Sequence, residues 1–351
     1  MTEADFLAAL RALPLHPGAL GLRDDAARLE RLVLTSDTLV EGVHYLASDP
    51  AGDVAWKLVA TNLSDLAAKG AVPVGVMLNY PLRASQPPPP RSTRHPGLVP
   101  GSTAPQDQPP QDTPHRGPRN KSGVTGTGTA EATMGDAENW DTAFLTGLAD
   151  ALTRFAAPIL GGDTVSLPPH APRVLTLTAL GDSAHAPSRS GAQAGDALYV
   201  TGTIGDAGAG LAIARGESGP ADLLAAYRRP QPRLAEGQAL APLVSAMMDV
   251  SDGLLIDAHR MAQASSLAVT IDLATVPLSD SYRAFVGDTL PARITAATAG
   301  DDYQLLFALA PDQPLPVPAT RIGSFARGEG ITLSEDGAPV ELPPRLGFQH
   351  G

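Results

Sequence analysis

At 351 residues, 43% of them hydrophobic, the chain is long enough for two ordinary domains with separate cores. A formal net charge of -12 and the lack of any cysteine exclude disulfides, thiolate zinc sites and cysteine nucleophiles, and they disfavour a nucleic-acid partner. No run approaches the roughly 18 to 20 apolar residues of a membrane span, and the opening MTEADFLAAL lacks a secretory pattern, so a cytoplasmic protein without membrane contact is expected.

In chain order, the acidic pair Asp24-Asp25 precedes a β-rich run at 31–40, RLVLTSDTLV, and 54–71 has helical spacing. A second β-rich run, VGVMLNYPL, follows at 74–82. From Ser85 to about Glu138 the composition breaks: eleven prolines fall between Ser85 and Asn120 and almost nothing there is large and apolar. Such a stretch cannot build a core and reads as a disordered insertion at 85–138. Helical spacing returns at 139–156, then the apolar APIL leads into GGDT, and 173–182 is again β-rich. A turn-rich stretch places a domain boundary near Gly181, dividing the chain into 1–181 and 182–351. Beyond it, strand-like runs at 196–202, 246–251, 268–273 and 302–309 alternate with helical spacing at 208–216 and 253–266. This interleaving favours an α/β fold, built from α+β layers, over an all-β sandwich.

Seven carboxylates stand out: Asp24, Asp25, Asp37, Asp65, Asp163, Asp249 and Asp252. Singly they read as helix caps, turn residues or solvated helix positions. Asp37, Asp163 and Asp249, however, are each expected at a strand end, where layered α/β folds gather ligands. Two unit charges about 4 Å apart repel by roughly 4 kcal/mol at an effective dielectric near 20, so such a cluster calls for a cation. An all-oxygen donor set suits magnesium, which joins carboxylates to substrate phosphates. No GxxxxGK[ST] is present and the only lysines are Lys57, Lys69 and Lys121, which rules out a P-loop enzyme. The glycine-rich turn Gly202–Gly210 lacks GxGxxG spacing and reads as tight packing or backbone phosphate contact. GxSxG and HExxH are absent.

The segments DDAARL, TSDTLVEGVHYL, WKLVATNLSDLAAKGAVP, LGGDT, RSGAQAGDALYVTGTIGDAGAGLAI, RPQPRLAEG, MDVSDGLLIDAHRMA and AGDDYQLLF, in this order, resemble the thiamine-monophosphate kinase family. The resemblance covers the chain outside 85–138. It implies a two-domain fold of the aminoimidazole-ribonucleotide-synthetase type, a homodimer formed through the N-terminal sheets, and ATP held between the domains. It implies direct transfer of the γ-phosphoryl of ATP to thiamine monophosphate with several Mg2+ ions. Position by position, Asp25, Thr35, Ser36, Asp37, Asp65, Asp163, Asp249 and Asp252 match metal ligands. Gly162, Asp163, Arg189 and Ser251 match ATP contacts, His44, Asp301 and Phe348 match substrate contacts, and Arg189, Asp37 and Asp249 are the residues expected to drive catalysis. Arg23 and the AGDDYQL segment depart from the family pattern, which has glycine before DD and GGEDYEL. Another ATP-dependent synthetase of the superfamily, or a catalytically impaired nucleotide-binding relative, remains the alternative.

Overall fold

The structure, a computed structural model, describes residues 3–83, 134–168 and 170–349. The part of the proline-rich tract up to 133 lies outside the described residues. Helix α3 (Met134–Phe155) begins within the last residues of the 85–138 tract, a segment with no proline to stop it.

The first sheet is drawn from β1 (Ala27–Leu29), β2 (Leu32–Val40), β3 (Val72–Arg83), β4 (Ile159–Leu167) and β5 (Val174–Asp182) in the order β1-β2-β5-β3-β4. Strands β2 and β5 run antiparallel from Leu32 opposite Asp182 to Val40 opposite Val174, whereas β3 and β4 are parallel. Helices α2 (Ala51–Ala68) and α3 cover one face. Along β2 the burial alternates, with Val33, Thr35 and Leu39 buried and Ser36 and Thr38 exposed, as a half-covered strand requires. Asp37 therefore shares the covered face with Thr35.

The second sheet comprises β6 (Ala197–Val200), β7 (Ala246–Asp249), β8 (Ala268–Asp272), β9 (Leu305–Leu309), β10 (Thr320–Ala326), β11 (Gly330–Glu335) and β12 (Ala338–Val340), ordered β12-β11-β8-β10-β6-β9-β7. Strands β6, β7 and β9 are buried throughout, which explains their short unbroken apolar runs. Helices α4 (Asp206–Ala214), α7 (Leu254–Ala264), α8 (Asp280–Phe285) and α9 (Leu290–Ala299) accompany this sheet.

Helix α2 has apolar residues all round because it is buried all round. Leu58 and Leu63 belong to the core under the first sheet, and Ala67 and Ala68 pack with Tyr199, Leu305 and Phe307 of the second. The contact is close at α6 (Leu234–Leu240), where a Cβ on Gly237 would lie 1.9 Å from the carbonyl oxygen of Ala67.

Two expectations need correction. Asp37 and Asp163 are inside their strands, not at the ends; only Asp249 closes one. Strand β2 continues past Asp37 because Leu177 pairs opposite it, and on the other side its N–H is taken by the side-chain oxygen of Asn62 at 3.0 Å. The glycine-rich turn serves packing. Asp302 already accepts the N–H groups of Gly205 and Ala207 at the start of α4, and a Cβ on Gly208 would lie 2.4 Å from that of Ala299. Among the described residues no helix is long and apolar enough to cross a membrane.

Candidate active site

Three carboxylates from three elements face one another electrostatically: Asp37 on β2, Asp65 on α2 and Asp249 at the end of β7. Withdrawal from water is the largest cause of their shifts. Asp37 is pushed up to about 6 by burial and then by the charges of Asp252 and Asp25. Asp249 is pushed up to about 8 by burial, with Asp25, Asp257 and Asp37 adding to it. Asp65 is raised by burial and by Asp37, Asp249 and Asp25, although the Thr35 hydroxyl donates to its Oδ2. No lysine or arginine among the described residues forms an ion pair with any of the three.

Asp25 behaves in the opposite way. Burial opposes its ionisation, but Lys69 and Arg189 outweigh it and hold the carboxyl below its usual value. Lys69 Nζ stands 2.6 Å from Asp24 Oδ1 and 2.9 Å from Asp25 Oδ2, and Arg189 Nη1 is 3.2 Å from Asp25 Oδ1. Arg189 Nε also donates to the carbonyl of Arg23 at 2.7 Å.

The turn at 251–253, between β7 and α7, is built on Asp257. Its Oδ2 accepts the N–H groups of Ser251, Asp252 and Gly253 at 3.1, 3.1 and 3.2 Å. Burial pushes Asp257 up to about 7 despite the Arg260 guanidinium, which also pairs with Asp252. The Ser251 carbonyl accepts from the Asp301 N–H, so the hydroxyl is what Ser251 has left for a ligand. The N–H of Phe348 donates to the Asp252 carbonyl at 2.8 Å, bringing the C-terminal segment to the same turn. Asp301 accepts from Lys57 Nζ at 2.7 Å, and Lys57 also donates to the carbonyl of His44 at 3.2 Å.

Thr35, Asp37, Asp65, Asp249, Asp252 and Asp25 thus form one electrostatic neighbourhood, with Ser251, Asp301 and Phe348 linked through the 251–253 turn. Ser36 and Asp163 do not join it, whereas Gly162 pairs with Leu78 and through it with Leu177, the residue opposite Asp37. The Ser36 hydroxyl lies on the opposite face of the first sheet, 2.9 Å from that of Thr178. Asp163 pairs with Asn79, which pairs with Thr176 and through it with Thr38, so register puts Asp163 on that same outer face. Sequence reasoning passes over Lys69, Lys57, Asn62 and Asp257 as site residues. The scarcity of lysine is the signal for two of them: Lys57 of α2 and Lys69 directly after it are both buried in ion pairs.

The donor chemistry fits a hard divalent cation, since three oxygen-only side chains lack a counter-charge. Among the described residues, no three His, Asp or Glu side chains stand close enough to hold a metal ion by themselves. A cavity of about 300 Å³ lined by Gly208, Tyr282, Phe285 and Ala299 contains none of these carboxylates.

The family models of AIR synthase related protein match this chain in both parts, the N-terminal domain over 23–94 and 124–182 and the C-terminal domain over 193–333. The match skips 95–123, inside the proline-rich tract. The thiamine-monophosphate kinase of Caulobacter vibrioides is 35% identical over all of this chain and 91% of its own length. The chain belongs to the thiamine-monophosphate kinase family. The Escherichia coli K12 thiamine-monophosphate kinase is 33% identical over 94% of this chain and 91% of its own. Among solved structures, AaThiL complexed with AMPPCP and TMP matches with a TM-score of 0.72 at 25% identity, covering 97% of this chain and 99% of that one. The thiamine-monophosphate kinase from Stenotrophomonas maltophilia K279a matches with a TM-score of 0.67 at 31% identity, covering 96% of each. The fold is therefore the two-domain α/β architecture of the AIR synthase related proteins, as the resemblance in the sequence implies.

Proposed function

We propose that the chain moves the γ-phosphoryl of ATP directly onto the phosphate of thiamine monophosphate, giving thiamine diphosphate and ADP. The observation that carries this is the group Asp37, Asp65 and Asp249, inward-facing and without a counter-charge, in a chain 35% identical along its whole length to a thiamine-monophosphate kinase.

Asp37, Asp65, Asp249 and Asp252 are the side chains that would hold Mg2+ together with substrate phosphates. Bound there, magnesium neutralises the two anionic substrates and withdraws charge from the transferring phosphoryl. Phosphate oxygens complete a site that protein carboxylates alone leave open, which is the usual arrangement for this ion. Arg189 uses Nε and Nη1 on Arg23 and Asp25, and its remaining N–H donors are directed to ATP in this reading. The Ser251 hydroxyl makes a second nucleotide contact. An ionised phosphate oxygen attacks without a general base, so no side chain takes that role. His44, Asp301 and Phe348 are assigned to thiamine monophosphate. For Ser36, Gly162 and Asp163 the support is the resemblance alone.

The same proposal divides the chain into 1–181, which binds ATP and Mg2+, and 182–351. The first sheet comes wholly from 27–182 and the second from 197–340. A homodimer is proposed through the outer face of the first sheet, where Leu32, Val72, Met77, Val165 and Val174 are 39 to 53% exposed. The reaction is placed in the cytoplasm because ATP is the donor.

Purified protein incubated with ATP, Mg2+ and thiamine monophosphate should yield thiamine diphosphate and ADP in equal amounts, the former read by oxidation to its fluorescent thiochrome. Nucleotide binding with no thiamine diphosphate formed would overturn the reading.

A further inference from the structure

Only three of the 25 basic residues in the chain are lysines. One of them, Lys69, follows the last turn of α2 with its side chain 3% exposed. Its ammonium has three N–H donors and three acceptors around it: Asp24 Oδ1 at 2.6 Å, Asp25 Oδ2 at 2.9 Å and the Met247 carbonyl at 3.4 Å. Met247 is in β7, two residues before Asp249, so this one side chain joins the 24–25 segment, α2 and the strand that carries the central carboxylate. With Arg189 on the other oxygen of Asp25, two positive side chains balance two negative ones.

The acidic site is therefore split. The Asp24–Asp25 side faces fixed cations belonging to the chain, and the side formed by Asp37, Asp65 and Asp249 faces none among the described residues. We propose that Lys69 is a built-in cation that fills the Asp24–Asp25 half of the site, so that this chain binds one divalent ion fewer than the same site lacking that ammonium. Lys69 is then a positioning residue: it fixes where Asp25 points and reserves the remaining carboxylates for the metal. The inference rests on the divalent-ion reading of Asp37, Asp65 and Asp249 given above.

Lys69→Met keeps the length of the side chain and removes its charge. Equilibrium dialysis of the full chain against Mn2+ should count one more ion per chain in Lys69→Met than in the wild type, and Lys69→Arg should keep the wild-type count. Equal counts in Lys69→Met and wild type overturn the proposal. Should Lys69→Met fail to fold, the wild type labelled with [13Cε]lysine supplies the answer, because it has only three lysine signals and replacing the other two identifies that of Lys69. An unmoved Lys69 signal at saturating Mg2+ supports the proposal, whereas a shift that follows the Mg2+ titration means that an ion displaces the ammonium and overturns it. Neither readout involves turnover, so the failure of either leaves the kinase assay to stand or fall separately.

Discussion

Lys57 Nζ stands 2.7 Å from Asp301 Oδ2 and fastens helix α2 to the turn ahead of β9. The same ammonium lies 4.2 Å from the centre of the Tyr227 ring, and the Tyr303 hydroxyl donates to Asp301 Oδ1 at 3.0 Å. Both carboxylate oxygens are engaged, so Asp301 is held in place before any substrate arrives. Lys57→Met should release it. Because the Asp301 side chain is 34% exposed and water can replace the lost partner, the stability cost should be about 1 to 3 kcal/mol, below that of a fully buried pair. The KM for thiamine monophosphate should rise about tenfold, with the KM for ATP changed by less than about twofold. Steady-state kinetics in both substrates checks this; equal rises in the two KM values would remove Asp301 from the substrate assignment.

Asp249→Asn keeps shape and removes one charge from a carboxylate that burial and neighbouring acids already push up to about 8. Turnover should fall by about 100-fold or more. Thermal stability in metal-free buffer should stay level or rise, because a like-charge repulsion is gone. Asp37→Asn should behave in the same way. A folded Asp249→Asn protein with near-normal turnover would remove the residue from the catalytic set.

The pH dependence has a definite sign. Asp37 and Asp249 are raised from 3.8 to about 6 and about 8 in the folded chain, so the folded state holds more protons than the unfolded one across that window. The stability they contribute is fully present below about pH 4 and is lost as pH rises through about 6 and then about 8. Mg2+ needs the deprotonated carboxylates, so its stabilising effect should grow over the same interval. In differential scanning fluorimetry, the gain in Tm from millimolar Mg2+ should be about twofold larger near pH 8 than near pH 6. A gain independent of pH would contradict the assignment of these residues to the metal.

Met77 is 45% exposed on the outer face of the first sheet, in register with Thr178 and Gly161. Met77→Lys places a charge in the centre of the surface proposed for self-association. Sedimentation velocity should show a dimer for the wild type and a monomer for this variant, with the far-UV circular dichroism unchanged. A monomeric wild type, or a dimeric variant, would move the interface elsewhere.

Much of this architecture is legible in the sequence. The apolar runs of β2, β5, β6 and β9 announce themselves, as does helix α2, because alternation and helical spacing are local properties of the chain. What stays hidden depends on partners far along it. Nothing near Asp163 indicates the face it takes, since that follows from β4 pairing with β3 and β3 with β5. Asp37 reads as a strand end only while Asn62 is unseen, for it is Asn62 that satisfies the backbone there. Asp257 reads as an ordinary helix residue until the 251–253 turn folds onto its carboxylate. The acidic site itself is legible as a set of motifs, yet its internal division is not, because Lys69 meets Asp24 across 45 positions of chain.

Helix α2 belongs to two cores at once. Its middle is buried with Val33, Leu175 and Leu177 under the first sheet, and its last turn with Tyr199 and Phe307 of the second. Melting either layer would strip apolar cover from this helix and so weaken the other, and Gly237 lets α6 approach too closely for water to take its place. The layers around the two sheets should thus be coupled in their unfolding, so that the change of sheet along the chain would not separate two cooperative units.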